Sequence, residues 1–193
     1  MIESIDTSLT LFLYNFFPRS PLFDWFPRIL SFEGTTTLFW IFVAGIIFLY
    51  EFYIKKNKLF FIEQLTKMTL TFFATIAITA FCVHFVIKPI FQRVRPFQTL
   101  GIEAPYCPTD FSFPSGHAAV AVAGAYVLSK FDHNRRRDYL YASIAIAIGL
   151  SRIYLLCHYV TDVIVGSVFG LFVAVITFQV VHLLYHKSQK LKI

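Results

Sequence analysis

The chain has 193 residues, of which 57% are hydrophobic and only 15% charged, and its mean hydropathy is +0.66. These values exclude an ordinary soluble domain and a disordered segment, and they indicate one integral membrane domain spanning residues 1–193. The formal net charge of +6 calls for no nucleic-acid partner, because the basic residues fall where membrane topology requires them.

In chain order, the first 30 residues open on Glu3 and Asp6. No basic stretch precedes the apolar run Leu9–Phe17, so a cleaved signal peptide is not expected. Beyond that run the apolar character is interrupted by Arg19, Asp24 and Arg28 and by Pro18, Pro21 and Pro27. The segment reads as aromatic-rich and interfacial, with a sixth span as the alternative. Crossing about 30 Å of hydrocarbon takes about 20 apolar helical residues. Five stretches approach that length: Thr35–Tyr53, Met68–Ile87, His117–Ser129, Tyr139–Leu156 and Tyr159–Tyr185. The expected fold is therefore all-α, a polytopic membrane helix bundle of five transmembrane helices plus the N-terminal interfacial or sixth helix. No internal repeat, low-complexity tract or Gly/Ser-rich linker divides it.

Ten of the 17 Lys and Arg residues lie in three places: Lys55, Lys56 and Lys58; Lys130 and Arg135–Arg137; and Lys187, Lys190 and Lys192. The positive-inside rule assigns all three to the cytoplasm, with the Arg135–Arg137 run as a solvated turn. Alternating spans then carry Arg95, His117 and His158 to the opposite, extracytoplasmic face of the cell membrane. Cys82, Cys107 and Cys157 are odd in number and match no metal or disulfide spacing. Two of them fall in apolar spans and read as small hydrophobes. His84, His182 and His186 stand alone on helical stretches and read as packing or interface residues.

Three polar blocks resist such a reading. Lys88 and Arg95 are seven apart, two turns of a continuous helix, so they would share a face. Pro89 disfavours helix at Lys88 but could equally open a new short helix; snorkelling of both cations to headgroups is the alternative. Pro114-Ser115-Gly116-His117 stands just before the apolar run from Ala118, hence at a helix N-terminus. Exposed N–H groups and the helix dipole suit an anion there. Gly116 lets backbone approach a phosphate, and Ser115 can donate to it while capping the helix. Capping alone would not explain His117. In the third block, His158 and Asp162 are four apart on one helical face, so the carboxylate can hold one ring nitrogen and free the other. Arg152 reaches in from the adjoining helix end; a buried Arg–Asp pair beside an incidental histidine is the alternative.

Taken together, Lys88-x6-Arg95-Pro96, Pro114-Ser115-Gly116-His117 and Ser151-Arg152-x5-His158-x3-Asp162 resemble the three-part signature of the type 2 phosphatidic acid phosphatase superfamily, membrane lipid phosphatases related to vanadium haloperoxidases. Every signature position is present, in order. By size and topology the likeness is to bacterial undecaprenyl diphosphate and phosphatidylglycerophosphate phosphatases. The resemblance implies removal of a terminal phosphate from an isoprenoid or glycerophospholipid phosphate or diphosphate through a phosphohistidine. Undecaprenyl diphosphate is the foremost candidate, and phosphatidylglycerophosphate or phosphatidic acid the alternative. It implies His158 as nucleophile, Asp162 as its orienting carboxylate and His117 as general acid. Lys88, Arg95, Ser115, Gly116 and Arg152 would bind the phosphate, with no metal and no other cofactor. A small anion transporter would also gather cations at a vestibule, but it would not need the His158–Asp162 pair beside a second histidine.

Lengths also suggest depth. His117 to Lys130 is 13 residues and Asp138 to Arg152 is 14, each about 20 Å of helix and so about 10 Å short of a crossing. The site is expected below the outer headgroups, where a lipid could come in sideways between helices. Phe97–Phe113, with Glu103 and Asp110, is expected to lie over it as a loop or short interfacial helix.

Overall fold

A computed structural model describes residues 2–18, 21–29, 34–54, 58–132 and 134–190, and these contain helices and connecting loops with no strand. Arg19, which enters the N-terminal reading, and Lys55, Lys56 and Lys192, which enter the charge reading, lie outside the described residues. The N-terminal region forms α1 (Ile2–Phe16) and α2 (Pro21–Ile29). The long apolar stretches form α3 (Thr35–Ile54), α4 (Lys58–Phe81), α7 (Gly116–Asp132), α8 (Arg135–Tyr154) and α9 (Val160–Lys190). A π-helical turn (Cys82–Ile87) follows α4 and leads into α5 (Lys88–Phe91); α6 (Pro96–Leu100) comes next. Each of the five expected spans thus coincides with a helix. Two helical stretches, Glu63–Leu100 and Val160–Lys187, are long and apolar enough to cross a bilayer, and Thr35–Ile47 is a shorter apolar stretch. The remaining two helices fall short for readable reasons: α7 has 17 residues, about 25 Å, and α8 carries Arg135–Arg137 and Arg152.

At the centre stands α7, packed by α3, α4, α8 and α9. Its small residues make this possible: Ala118, Ala119, Ala121 and Ala123 are fully buried. Where hydrocarbon surrounds a bundle, burying apolar area against a neighbouring helix gains little over burying it in lipid, so close backbone packing does more of the work. The tightest approach is α9 on α7. A Cβ at Gly170 would lie 2.0 Å from the Ala119 carbonyl oxygen, and one at Gly166 would lie 2.4 Å from that of Ser115. On the opposite side Trp40 of α3, with no exposed surface, fills the space over Gly124, where a Cβ would meet its ring at 2.5 Å. Large apolar side chains such as Leu38, Phe42, Phe73, Ile78, Val168 and Phe172 point outward from α3, α4 and α9. So extensive an exposed apolar surface suits hydrocarbon and not water.

The Arg135–Arg137 run forms the first turn of α8, which Asn134 caps by accepting from the Arg136 N–H at 3.1 Å. Arg135 and Arg136 are exposed, while Arg137 pairs with Asp132. This turn lies at the end of α7 and α8 opposite to Gly116 and Arg152. His182 stacks on Phe178, a packing role.

The cysteine reading is corrected. Cys107 and Cys157 form a disulfide, and Cys82 is the free cysteine. The partners are 50 positions apart, one in the loop after α6 and the other just beyond α8, so only the folding of that loop over the helix end brings them together. Spacing along the chain carries no trace of it.

Because the atoms that a side chain at position 170 would strike are backbone, no rotamer change relieves the clash. Gly170→Leu is expected to lower the thermal midpoint of the detergent-solubilised protein by an amount corresponding to about 2 kcal/mol or more, as overpacking commonly does. Gly45→Ala, whose Cβ meets nothing within 4 Å, is the matched control and is expected to leave the midpoint in place.

Candidate active site

The first block does not form one continuous helix. Lys88 is the first residue of α5, which runs on from the π-helical turn without a break, Ile87 and Lys88 both being helical, so Pro89 neither prevents helix at Lys88 nor opens a separate one. The chain then reverses at Gln92, which adopts a left-handed conformation with φ 45°. Arg95 is extended and caps α6. The two cations therefore come from different elements and are brought together by a third residue. Asp110, on the loop over the site, accepts from Lys88 Nζ and, at 2.5 Å, from Arg95 Nη2. Partial burial opposes ionisation of Asp110, but Lys88 and Arg95 outweigh it and hold its carboxyl below the usual carboxylate range.

Arg95 has almost no exposed surface and uses its whole fork. Nε donates to the Asp110 carbonyl at 2.8 Å, Nη1 donates to the Cys157 carbonyl at 2.7 Å, and Nη1 also lies 3.2 Å from His158 Nε2. His158 sits on the short link between α8 and α9, just after Leu156, which is left-handed with φ 57°. Behind its ring, Nδ1 is 3.4 Å from Ser112 Oγ and 3.7 Å from Asp162 Oδ2. Burial, with Arg95 nearby, lowers the His158 pKa to about 4 against the opposing pull of Asp162, so the imidazole is neutral at pH 7.

Asp162, fully buried, is the third residue of α9, where a carboxylate favours the helix dipole. Its Oδ2 accepts from the Tyr159 N–H at 2.9 Å, the reach-back half of a capping box, and from the Ser112 hydroxyl. Its Oδ1 takes Arg93 Nη1 at 2.6 Å. The second block joins the third through the backbone, as Ser115 N–H donates to the Asp162 carbonyl at 3.0 Å. Ser115 Oγ accepts from the Ala118 N–H at 3.4 Å, which is the expected cap.

A cleft of about 230 Å³ is lined by Lys88, Arg95, Gly116, His117 and His158, together with His84, and by Thr36 and Thr37 of α3 and Ala80 of α4. Five of the eight expected site residues thus share one cavity. Ser115, Arg152 and Asp162 do not line it. Arg152 is buried, giving Nη2 to the Pro27 carbonyl at 3.1 Å and Nε and Nη2 to Ser151 Oγ. Its Nη1 has no hydrogen-bond partner among the described residues, an uncommon condition for a buried donor. His84 departs from its expected packing role: it sits on the π-helical turn, Nδ1 is 3.9 Å from Asp110 Oδ2, and Nε2 would lie 3.1 Å from a Cβ at Gly116. Arg93, Asp110 and Ser112 were not among the expected site residues; the loop position of Asp110 was expected, but not its ion pairs. A larger cavity of about 260 Å³ lies beyond the disulfide, lined by Asp24, Arg28 and Glu103 but by no histidine.

The chain resembles known proteins in sequence and in fold. Phosphatidylglycerophosphatase B of Bacillus subtilis is 41% identical over 96 residues, 45% of either chain. Undecaprenyl-diphosphatase of Sulfolobus acidocaldarius is 31% identical over 97 residues, 48% of this chain and 46% of that one. The chain thus spans about half the length of the curated relatives it matches. Among crystal structures, LpxE of Aquifex aeolicus superposes with a TM-score of 0.61 over 89% of this chain and 93% of its own, at 24% identity, a likeness of fold. The first transmembrane PAP2 type phosphatidylglycerolphosphate phosphatase from Bacillus subtilis has the same TM-score over 96% and 87%, at 26% identity. Residues 68–185, more than half of the chain and inclusive of all three polar blocks, match the PAP2 superfamily, and the protein belongs to that family.

Proposed function

We propose that this protein is a membrane lipid phosphatase that removes a terminal phosphate through a phosphohistidine on His158, with undecaprenyl diphosphate as the foremost substrate. One observation carries the reading: His158 lines the cleft with Nε2 beside Arg95, while Ser112 and Asp162 stand behind Nδ1. Nε2 attacks phosphorus as the bond to the lipid-side oxygen breaks, and His117 protonates the departing oxygen. For a diphosphate, the leaving group is the lipid monophosphate. His117 then takes a proton from water, which attacks phosphorus, releases inorganic phosphate and restores His158. Lys88, Arg95 and Arg152, with Ser115 and the N–H groups at Gly116, stabilise the charge on the equatorial oxygens. These cations supply what a divalent ion would otherwise bring. Asp110 holds Lys88 and Arg95 in the resting site, and the arriving phosphate takes its place.

A lipid substrate fits the walls. The cleft lies between α3 and α4, and a second, apolar cleft of about 220 Å³ runs along the same two helices, lined by Ile41, Gly45, Met68 and Phe72. An acyl or isoprenoid tail can follow that seam while its phosphate reaches His158. Five helices, α3, α4, α7, α8 and α9, cross the bilayer, and α1 and α2 lie at its surface. The site faces the extracytoplasmic side for two independent reasons. Arg135–Arg137 mark the far ends of α7 and α8, and the Cys107–Cys157 disulfide beside the site suits an oxidising compartment. An outer-face site suits recycling of a spent isoprenoid carrier. The higher identity to phosphatidylglycerophosphatase B favours a glycerophospholipid phosphate as the second reading.

Purified protein assayed against undecaprenyl diphosphate, phosphatidylglycerophosphate, phosphatidic acid and a water-soluble phosphate is expected to prefer a lipid, and the panel separates the two readings. His158→Ala is expected to abolish phosphate release while the protein folds and inserts; substantial turnover by that variant would refute the nucleophile. Vanadate should compete with substrate, since it adopts five-coordinate geometry, and EDTA should change nothing. Inhibition by EDTA that magnesium reverses would require another mechanism.

Sidedness is checked separately. In intact cells an impermeant thiol reagent should label Cys107, the partly exposed partner, only after an impermeant reductant opens its disulfide with the buried Cys157, whereas a cysteine introduced by Asn134→Cys should react only on permeabilisation. Labelling at 134 in sealed cells would invert the orientation.

A further inference from the structure

Asp162 divides its carboxylate between two tasks. Oδ2 faces His158 and Ser112, and Oδ1 is held by Arg93 at 2.6 Å. A guanidinium this close to a fully buried carboxylate draws on its charge, although the Arg93 side chain is itself 23% exposed. Left alone, the Arg93–Asp162 pair would be neutral and would offer little to a histidine that becomes cationic when it binds phosphorus. Arg93 is not alone. Its Nη2 lies 2.7 Å from Oδ2 of Asp6, a buried residue of α1 that is 87 positions away in sequence. The array Asp6–Arg93–Asp162 therefore carries one net negative charge, which matches the charge that forms on His158.

Asp6 also shapes the backbone around Asp162. Its Oδ1 accepts from the Thr161 N–H at 3.1 Å, and its Oδ2 accepts from the Thr161 hydroxyl. Thr10, one turn further along α1 and fully buried, accepts from the Val160 N–H at 3.2 Å. The first turn of α9 is thus capped by side chains of another helix, a service that a local Ser or Asp usually performs. Asp6 does not line the cleft, so its effect on the reaction must pass through Arg93 and Asp162.

We propose that Asp6 is a positioning residue for the reaction, balancing Arg93 so that Asp162 keeps its negative charge for His158 as the phosphohistidine forms. The proposal rests on His158 as nucleophile. In that step the Nε2 lone pair forms the N–P bond, the P–O electron pair leaves with the departing oxygen, and that oxygen takes its proton from His117. The imidazole gains positive charge, and Asp162 offsets it.

The test uses the full chain in mixed micelles with a lipid phosphate substrate. Asp6→Asn, which keeps an acceptor for Thr161, is expected to lower kcat about 10- to 100-fold with KM within about twofold, the pattern of an interaction made in the transition state. Arg93→Gln, added to it, removes the unbalanced cation while keeping a donor for Asp162, and is expected to restore kcat at least about fivefold over Asp6→Asn alone. Such non-additivity is what coupling through Arg93 requires. Thr10→Val removes a cap without altering charge and is expected to lower the thermal midpoint while kcat stays near wild type. Wild-type kcat in a folded Asp6→Asn, no recovery on adding Arg93→Gln, or an equal kcat loss in Thr10→Val would each overturn the proposal. If Asp6→Asn does not fold, the double variant decides: kcat within about tenfold of wild type supports the proposal, and loss as deep as His158→Ala overturns it. His158→Ala runs alongside. Activity retained there removes the nucleophile assignment and this proposal with it, whereas an inactive His158→Ala beside a fully active Asp6→Asn removes this proposal alone.

Discussion

A carboxylate with no exposed surface, set at the end of a helix that runs into hydrocarbon, is stable only if donors surround it. Asp162 meets that condition by collecting one partner from each neighbouring part of the chain: Arg93 from the segment after α5, the Ser112 hydroxyl from the covering loop, and its own helix's Tyr159 N–H. Its backbone carbonyl takes the Ser115 N–H. Removing one partner of such a buried pair costs about 3–5 kcal/mol, so the segments that contribute donors are held in register. The three polar blocks are assembled around this one residue.

Packing makes that assembly possible. Ser115 can donate to Asp162 only because α9 comes close enough to α7, and Gly166, against the Ser115 carbonyl, permits the approach. The Gly166-x3-Gly170 spacing on one face of α9 and the alanines of α7 form a seam that a larger side chain would part. The same seam sets the distance between His117, at the start of α7, and His158, just before α9. In this way a feature of membrane helix packing sets the geometry of a polar cleft.

The sequence disclosed the helical fold and five residues that share the cleft, but not how they are held, nor that Arg152 turns instead to Ser151 and the Pro27 carbonyl. Lys88, Arg95, Gly116, His117 and His158 share the cleft, and the five apolar runs are the five long helices, since hydropathy and helix-start chemistry are local signals. Asp110, Ser112 and Arg93 escaped because each matters through a partner far along the chain: Arg93 meets Asp162 69 positions on, and Ser112 meets it 50 on. The disulfide is the same kind of case. The N-terminal segment read as interfacial or as a sixth span, and the outward face of α1, with Ile5, Leu9, Phe12 and Phe16, is compatible with either. Its inward residues, Asp6 and Thr10, gave no sign in sequence that they cap α9, because trans-capping leaves no pattern of spacing.

Charge balance connects the resting site to the proposed reaction. Lys88, Arg93, Arg95 and Arg152 stand against Asp6, Asp110 and Asp162, with His158 neutral, so the cluster as it rests carries about one unit of positive charge. Without Asp110 the buried cations Lys88 and Arg95 would lose the carboxylate they share, and like charges that close repel. Asp110 relieves that repulsion from an exposed loop, where its release costs less than that of a buried group. When a phosphate takes its place the protein contributes about two positive charges, which a phosphate dianion neutralises. In the proposed reaction the loop carboxylate thus keeps the cation cluster assembled without substrate and would give way to a ligand that carries more charge and more acceptor oxygens.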